Sequence, residues 1–105
     1  MKILIILTLL SILANADYEI ANKYYDAKKY QKAIDELKSS TVEYSNPKLH
    51  LLWAKSAEML GNKKEAMSAY ERVNILDSNA TESRIALLKI YKNSSEAKKE
   101  NLTYP

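Results

Sequence analysis

Residues 49–79 read LHLLWAKSAEMLGNKKEAMSAYERVNILDSN, and this stretch decides the fold. Leu49, Leu52, Trp53, Ser56, Ala57 and Leu60 recur at three-to-four spacing, which places them on one face of a helix. Gly61 follows, the only glycine of the chain, where a helix should stop and the backbone needs a positive φ. Asn62 with Glu65 three positions on is a capping signal for another helix. The apolar face of that helix is Ala66, Met67, Ala69, Tyr70, Val73 and Leu76. Two helices joined by a tight turn are therefore expected here.

The same grammar extends in both directions. Upstream, Ile20, Tyr24 and Ala27 form one stripe, with Ala21 beside them, and Tyr30, Ala33, Ile34 and Leu37 form a second. Ser45-Asn46-Pro47 interrupts, with Asn46 placed to cap and Pro47 suited to a first helical turn. Downstream, Asn79 with Glu82 repeats the capping signal for a fifth helix through Ile85, Leu87, Leu88 and Tyr91. Ser94-Ser95-Glu96-Ala97 suits the start of a short sixth. No segment reads as a strand.

These helices recur at a fixed period. Ala21 and Ala54 stand 33 apart in the sequence, as do Ala33 and Ala66, and Ile34 and Met67. Tyr24, Ala57 and Tyr91 continue the register at steps of 33 and 34. A period in this range with two helices per unit signals a solenoid, because one helix pair cannot bury its apolar face alone. A plain helical bundle is the rival that the same stripes can make.

At these residues the chain resembles the tetratricopeptide repeat family. Leu60-Gly61-Asn62 stands at the family's turn, Ala66 at its small residue, Tyr70 at its large aromatic, and Asp77-Ser78-Asn79 at its closing Asp-Pro-Asn. Ser78 replaces the proline, Trp53 stands where the family has Leu, and Lys28 replaces the glycine of the first turn. The resemblance implies an all-α short solenoid of about two and a half repeats over residues 17–105. It also implies a non-catalytic protein-binding module whose first helices line a concave groove. Projecting the register puts Tyr18, Asn22, Tyr25, Leu52, Lys55, Lys89 and Lys92 toward that groove. Tyr18 and Tyr25 are expected there as contact surface that the core does not need, and the lysines as the source of a positive far half. An acidic or carboxylate-bearing segment of a protein partner is the expected ligand. Asn22 matches one position of the repeats that grip a terminal carboxylate, but Tyr18 and Leu52 occupy positions needing charged or amide groups.

Composition excludes more than it assigns. With 47% hydrophobic and 28% charged residues, the 105-residue chain suits one small folded domain. No cysteine means no disulfide scaffold, thiolate metal site or cysteine nucleophile, and a single glycine leaves no phosphate-cradling loop. The one histidine, His50, has no second histidine or cysteine to complete a metal site, and is expected on the helix surface or half-buried, packing near Trp53. Asp35 and Glu36 are helix neighbours that diverge by about 100°. Lys63-Lys64 and Lys98-Lys99 are diluted by Glu65, Glu96 and Glu100, and the net charge is only +3, so nucleic acid is not an expected partner. No enzyme, cofactor or metal is expected. The runner-up function is a structural or assembly subunit of an envelope complex, serving outer-membrane assembly, division, pilus or transformation machinery and joined through its helix ends.

Two end features complete the reading. After Asn93 only Ala97 and Leu102 are available to cover Ile85, Leu88 and Tyr91. Leu88 is expected in the core and Ile85 on its exposed flank, with an incompletely capped end that self-associates or docks a partner helix. Asp77-Ser78-Asn79-Ala80-Thr81 also fits an acidic-residue-bearing acceptor for glycosylation at Asn79, the alternative being a simple helix cap.

Residues 1–16 carry Lys2, an apolar run from Ile3 to Leu13 broken by Thr8 and Ser11, and the triplet Ala14-Asn15-Ala16. That pattern is a signal peptide cut after Ala16. As a helix the run spans roughly 16 Å against a hydrocarbon core of roughly 30 Å, which disfavours a membrane span. The mature chain, 17–105, is then periplasmic or secreted and has no stable membrane span. Intact mass of the exported protein is expected to match a chain starting at Asp17. A product that keeps Met1 would instead be membrane-tethered.

Overall fold

The computed structural model describes residues 17–40 and 44–103; the segment read as an export signal lies outside them. Among the described residues the chain is helical throughout, with no strand. Helix α1 covers residues 17–26, α2 Tyr30–Ser39, α3 Pro47–Met59, α4 Lys63–Leu76 and α5 Thr81–Thr103.

The turns show why the elements end where they do. Past α1, Lys28 N–H donates to Tyr25 C=O at 2.9 Å and Lys29 N–H to Tyr24 C=O at 2.8 Å. Past α3, Gly61 N–H donates to Glu58 C=O and Asn62 N–H to Ala57 C=O, both at 2.9 Å. Each donor and acceptor of the second set lies one sequence period after its counterpart in the first. Both turns use a left-handed residue, Lys28 at φ 62° and Gly61 at φ 76°. This closing geometry satisfies carbonyls that the last helical turn leaves open. The period seen in the side chains is thus present in the backbone.

Helix starts follow the capping residues. The Asn46 side chain accepts from Lys48 N–H at 3.1 Å, with Pro47 opening α3. The Asn62 side chain accepts from Glu65 N–H at 3.3 Å and donates to the Glu65 carboxylate at 2.9 Å. Before α5 the arrangement differs from the capping signal at Asn79. Asp77 accepts the Asn79 N–H at 3.0 Å, and the Ser83 hydroxyl binds both Ala80 C=O and the Asn74 side chain.

Sequential helices pack side by side, α2 on α3, α3 on α4 and α4 on α5. Helix α1 meets α2 through an edge-on Tyr25–Tyr30 pair, ring centres 5.4 Å apart. Helix α3 is buried over most of its circumference, with Leu49, His50, Leu52, Trp53, Ala54, Ser56 and Ala57 inside and only the strip of Lys48, Leu51, Lys55, Glu58 and Met59 left open. Fully buried Ala21, Ala33, Ala54, Ala57, Ala66 and Ala69 let the helix backbones approach closely.

Three expectations are corrected. No sixth helix starts at Ser94, because residues 81–103 contain neither Gly nor Pro and α5 runs straight through. Leu88 is not core: it is 62% exposed, and Leu87 takes the buried place on α5. On α1 the inward face is Ala21 flanked by Tyr18 and Tyr25, which pack on the core, while Ile20 and Ala27 are exposed. The stripe is rotated by one position from the expected one, so the two tyrosines do serve the core.

Lys28 carries a side chain in a backbone region that favours glycine, and Gly61 has open space around its Cα. Lys28→Gly is therefore expected to stabilise the protein, and Gly61→Ala to destabilise it, each by about 1 kcal/mol. Urea unfolding midpoints read both signs.

Candidate functional site

Two hollows run along the first helices of the pairs. The smaller, about 150 Å³, lies between α1 and α3 and is lined by Tyr18, Asn22, Tyr25, Asp26, Lys48, Leu51, Leu52 and Lys55. The larger, about 560 Å³, lies between α3 and α5 and takes in Met59, Tyr70, Ile85, Lys89 and Ile90. Tyr25 and Lys55 line both, so the two form one continuous depression. Of the seven projected groove residues, five thus line the first hollow and Lys89 the second. Lys92 is exposed on α5 and lines neither. Leu52 is a buried core residue that reaches the floor, and Asn22 is exposed on the rim.

The electrostatics are more balanced than a row of lysines suggests. Lys55 Nζ lies 2.9 Å from the Glu82 carboxylate, an ion pair that joins α3 to α5 across the depression. The hydrogen bond that Lys55 donates to that carboxylate raises its pKa, so the ammonium stays charged and engaged. Glu58 adds a second acid to the larger hollow, and Lys63 adds a base next to Lys89. The Tyr70 phenol is pushed up, first by burial and then by its hydrogen bond to Glu58. Sequence reading missed Glu58 and Glu82, since each faces the depression only because α3 and α5 lie across from one another.

A second cluster sits between α2, α3 and α4. His50 is fully buried rather than near the surface. Arg72 Nε donates to His50 Nδ1 at 3.0 Å, which makes Nδ1 an acceptor and leaves the ring proton on Nε2. Nε2 then donates to the Tyr44 carbonyl at 2.5 Å. The imidazole stacks near Trp53 at 6.1 Å, and the Arg72 guanidinium lies 4.6 Å from the centre of the same indole. Lys38 approaches that indole at 5.5 Å, and Trp53 Nε1 donates to Glu65 at 2.9 Å. The packing of His50 beside Trp53 is legible from their spacing in one helix; Arg72, on the next helix, is not. Burial holds the His50 pKa below its ordinary value, against the pull of the Tyr44 carbonyl and with the Arg72 charge adding to the depression.

Asn79 lies exposed in the turn between α4 and α5. Among the described residues no group of three or more His, Cys, Asp or Glu is placed to hold a metal ion. No helix among them is long and apolar enough to cross a membrane. Comparison with protein families, curated proteins and solved structures finds no match to this chain.

The His50 geometry fixes a pH response. A proton on Nδ1 has to break the Arg72 bond and set two cations in contact. The unfolded imidazole titrates near 6.5, above the folded one, so below that pH the unfolded chain binds the proton more readily. Stability is thus full above 6.5 and falls as the pH drops. Thermal melts between about pH 7.5 and 5.5 should show this decline in the wild type. His50→Gln should be less stable at neutral pH by about 1–3 kcal/mol, for the partners it leaves unpaired, with a flatter pH profile.

Proposed function

We propose that this chain is a non-catalytic protein–protein interaction module of the bacterial cell envelope, built as a short tetratricopeptide-like solenoid and exported by a cleaved signal. The observation that carries this reading is the continuous depression along α1, α3 and α5, passing Tyr25 and Lys55. The repetition of the turn hydrogen bonds at one sequence period supports the repeat character. The partner is a protein segment that sets apolar side chains on Met59, Ile85 and Ile90 and an acidic group beside Lys89 and Lys63. Lys55 takes little part in attracting it, because Glu82 already holds that ammonium. Tyr25 offers one ring edge to the segment while its other side packs on the core.

The assembly-subunit reading draws its support from a different place, the exposed apolar face of α4 and α5. The two readings use separate surfaces.

Capture of partners from envelope extract is expected to depend on the depression. Lys89→Glu, an exposed change that leaves the core untouched, should lower recovery of the main partner by roughly tenfold. Tyr25→Ala with Lys89→Glu should abolish it, provided circular dichroism shows the helices intact. Equal recovery with wild type and variants would move the binding surface elsewhere.

A further inference from the structure

The outer face of α4 and α5 carries large apolar side chains with nothing over them among the described residues. Ile75 is 81% exposed, Leu88 62% and Tyr91 46%, around a shallow hollow of about 420 Å³ floored by Leu87 and edged by Glu71 and Arg84. None of these residues lines the depression along the first helices.

The internal repeat indicates what this face is built to receive. Helix α4 sits in the angle between α2 and α3, where Lys38 of α2 pairs with Glu65 of α4 at 3.4 Å. One period later, the corresponding angle lies between α4 and α5, and Glu71 is the periodic counterpart of Lys38. The turn that would bring a helix back into it falls at Ser94, the counterpart of Gly61, where α5 instead continues to Thr103. A helix seated there must bring apolar side chains for Ile75 and Leu88 and a base for Glu71. Helix α5 has both on its own outer face, in Leu88, Tyr91 and Arg84.

We propose that a second copy of this chain fills the angle, the two α5 helices running antiparallel about a two-fold axis beside Leu88. An axis at that position sets Arg84 of one copy opposite Tyr91 of the other, two helical turns along. The Tyr91 hydroxyl already donates to Glu71 at 2.8 Å, so the Glu71 carboxylate lies where that Arg84 arrives. Arg84 uses one guanidinium nitrogen on the Ser78 carbonyl and has further donors to give. With one acid and one base on its edge, the face is self-complementary: two Arg84–Glu71 pairs flank a centre of Leu88, Ile75 and Tyr91. This pairing is independent of the groove reading.

The test is sedimentation of the full chain as processed by an exporting host, its N-terminus fixed by intact mass. Wild type is expected to dimerise in the micromolar range, more weakly at high salt. Leu88→Asp should stay fully helical and become monomeric. Arg84→Glu and Glu71→Arg should each weaken the dimer by roughly tenfold or more, and mixing these two variants should restore it as a heterodimer. That rescue requires Arg84 of one copy to meet Glu71 of the other. A wild type that stays monomeric throughout, or a dimer that ignores both charge changes, overturns the proposal; so do single variants whose mixture remains monomeric.

Discussion

Burial of α3 over most of its circumference, all but the strip of Lys48, Leu51, Lys55, Glu58 and Met59, is the constraint from which the rest of the structure follows. A helix of ordinary surface character needs one apolar stripe; α3 turns Leu49, Leu52, Trp53, Ala54 and Ala57 in several directions at once. Such a helix cannot exist at the edge of a domain. It needs α1 and α2 on one side and α4 on the other, and the small residues Ala54, Ala57, Ala66 and Ala69 set how near they come. Once those backbones are close, long side chains at the edges have only the crevices between helices left to occupy, and the depression beside Tyr25 and Lys55 is one of these.

Polar groups enter this centre as a connected set. His50, Arg72, Trp53, Glu65 and Lys38 form a stack in which each ring or charge has a partner on a neighbouring helix. A neutral imidazole under a guanidinium is stable while the ring stays unprotonated, and it locks α3 against α4 in one register. The same chain of contacts ties α2 to α4 without touching the groove. The polar set therefore lies apart from the depression, whereas Tyr18, Tyr25, Leu51, Leu52, Tyr70 and Ile90 line the depression and pack in or against the core.

Much of this architecture was legible in the residues themselves, for physical reasons that also mark where legibility stopped. Helix count through α5, the cap at Asn46, the turn at Gly61 and the fixed period rest on local rules, and local rules act over short stretches of chain. The face of α1 was read one position off because Ile20 is the more apolar side chain, yet Tyr18 and Tyr25 bury more surface once α3 is opposite. Leu88 resembled core because periodicity cannot distinguish a face that has a neighbour from one that lacks it. The partnership of Lys55 with Glu82 and of His50 with Arg72 links helices that only the tertiary fold brings together. Lys28 shows the reverse case, a residue type that argues against a left-handed turn in a place where the helix packing demands one.

Trp53 is the only tryptophan of the chain, and it lies at the junction of α2, α3 and α4 with cations over its indole. Its emission is thus a built-in gauge of that one junction. Loosening of α4 from α3 removes the Arg72 and Glu65 contacts and changes the signal, whereas fraying of α5 leaves these neighbours of the indole in place. Tyrosines, by contrast, are spread along the sequence from Tyr18 to Tyr104 and average over it. Helices that pack mainly on their sequence neighbours unfold together only as far as those joints hold. Comparing the two chromophores during unfolding therefore measures whether the last helix melts with the centre or before it.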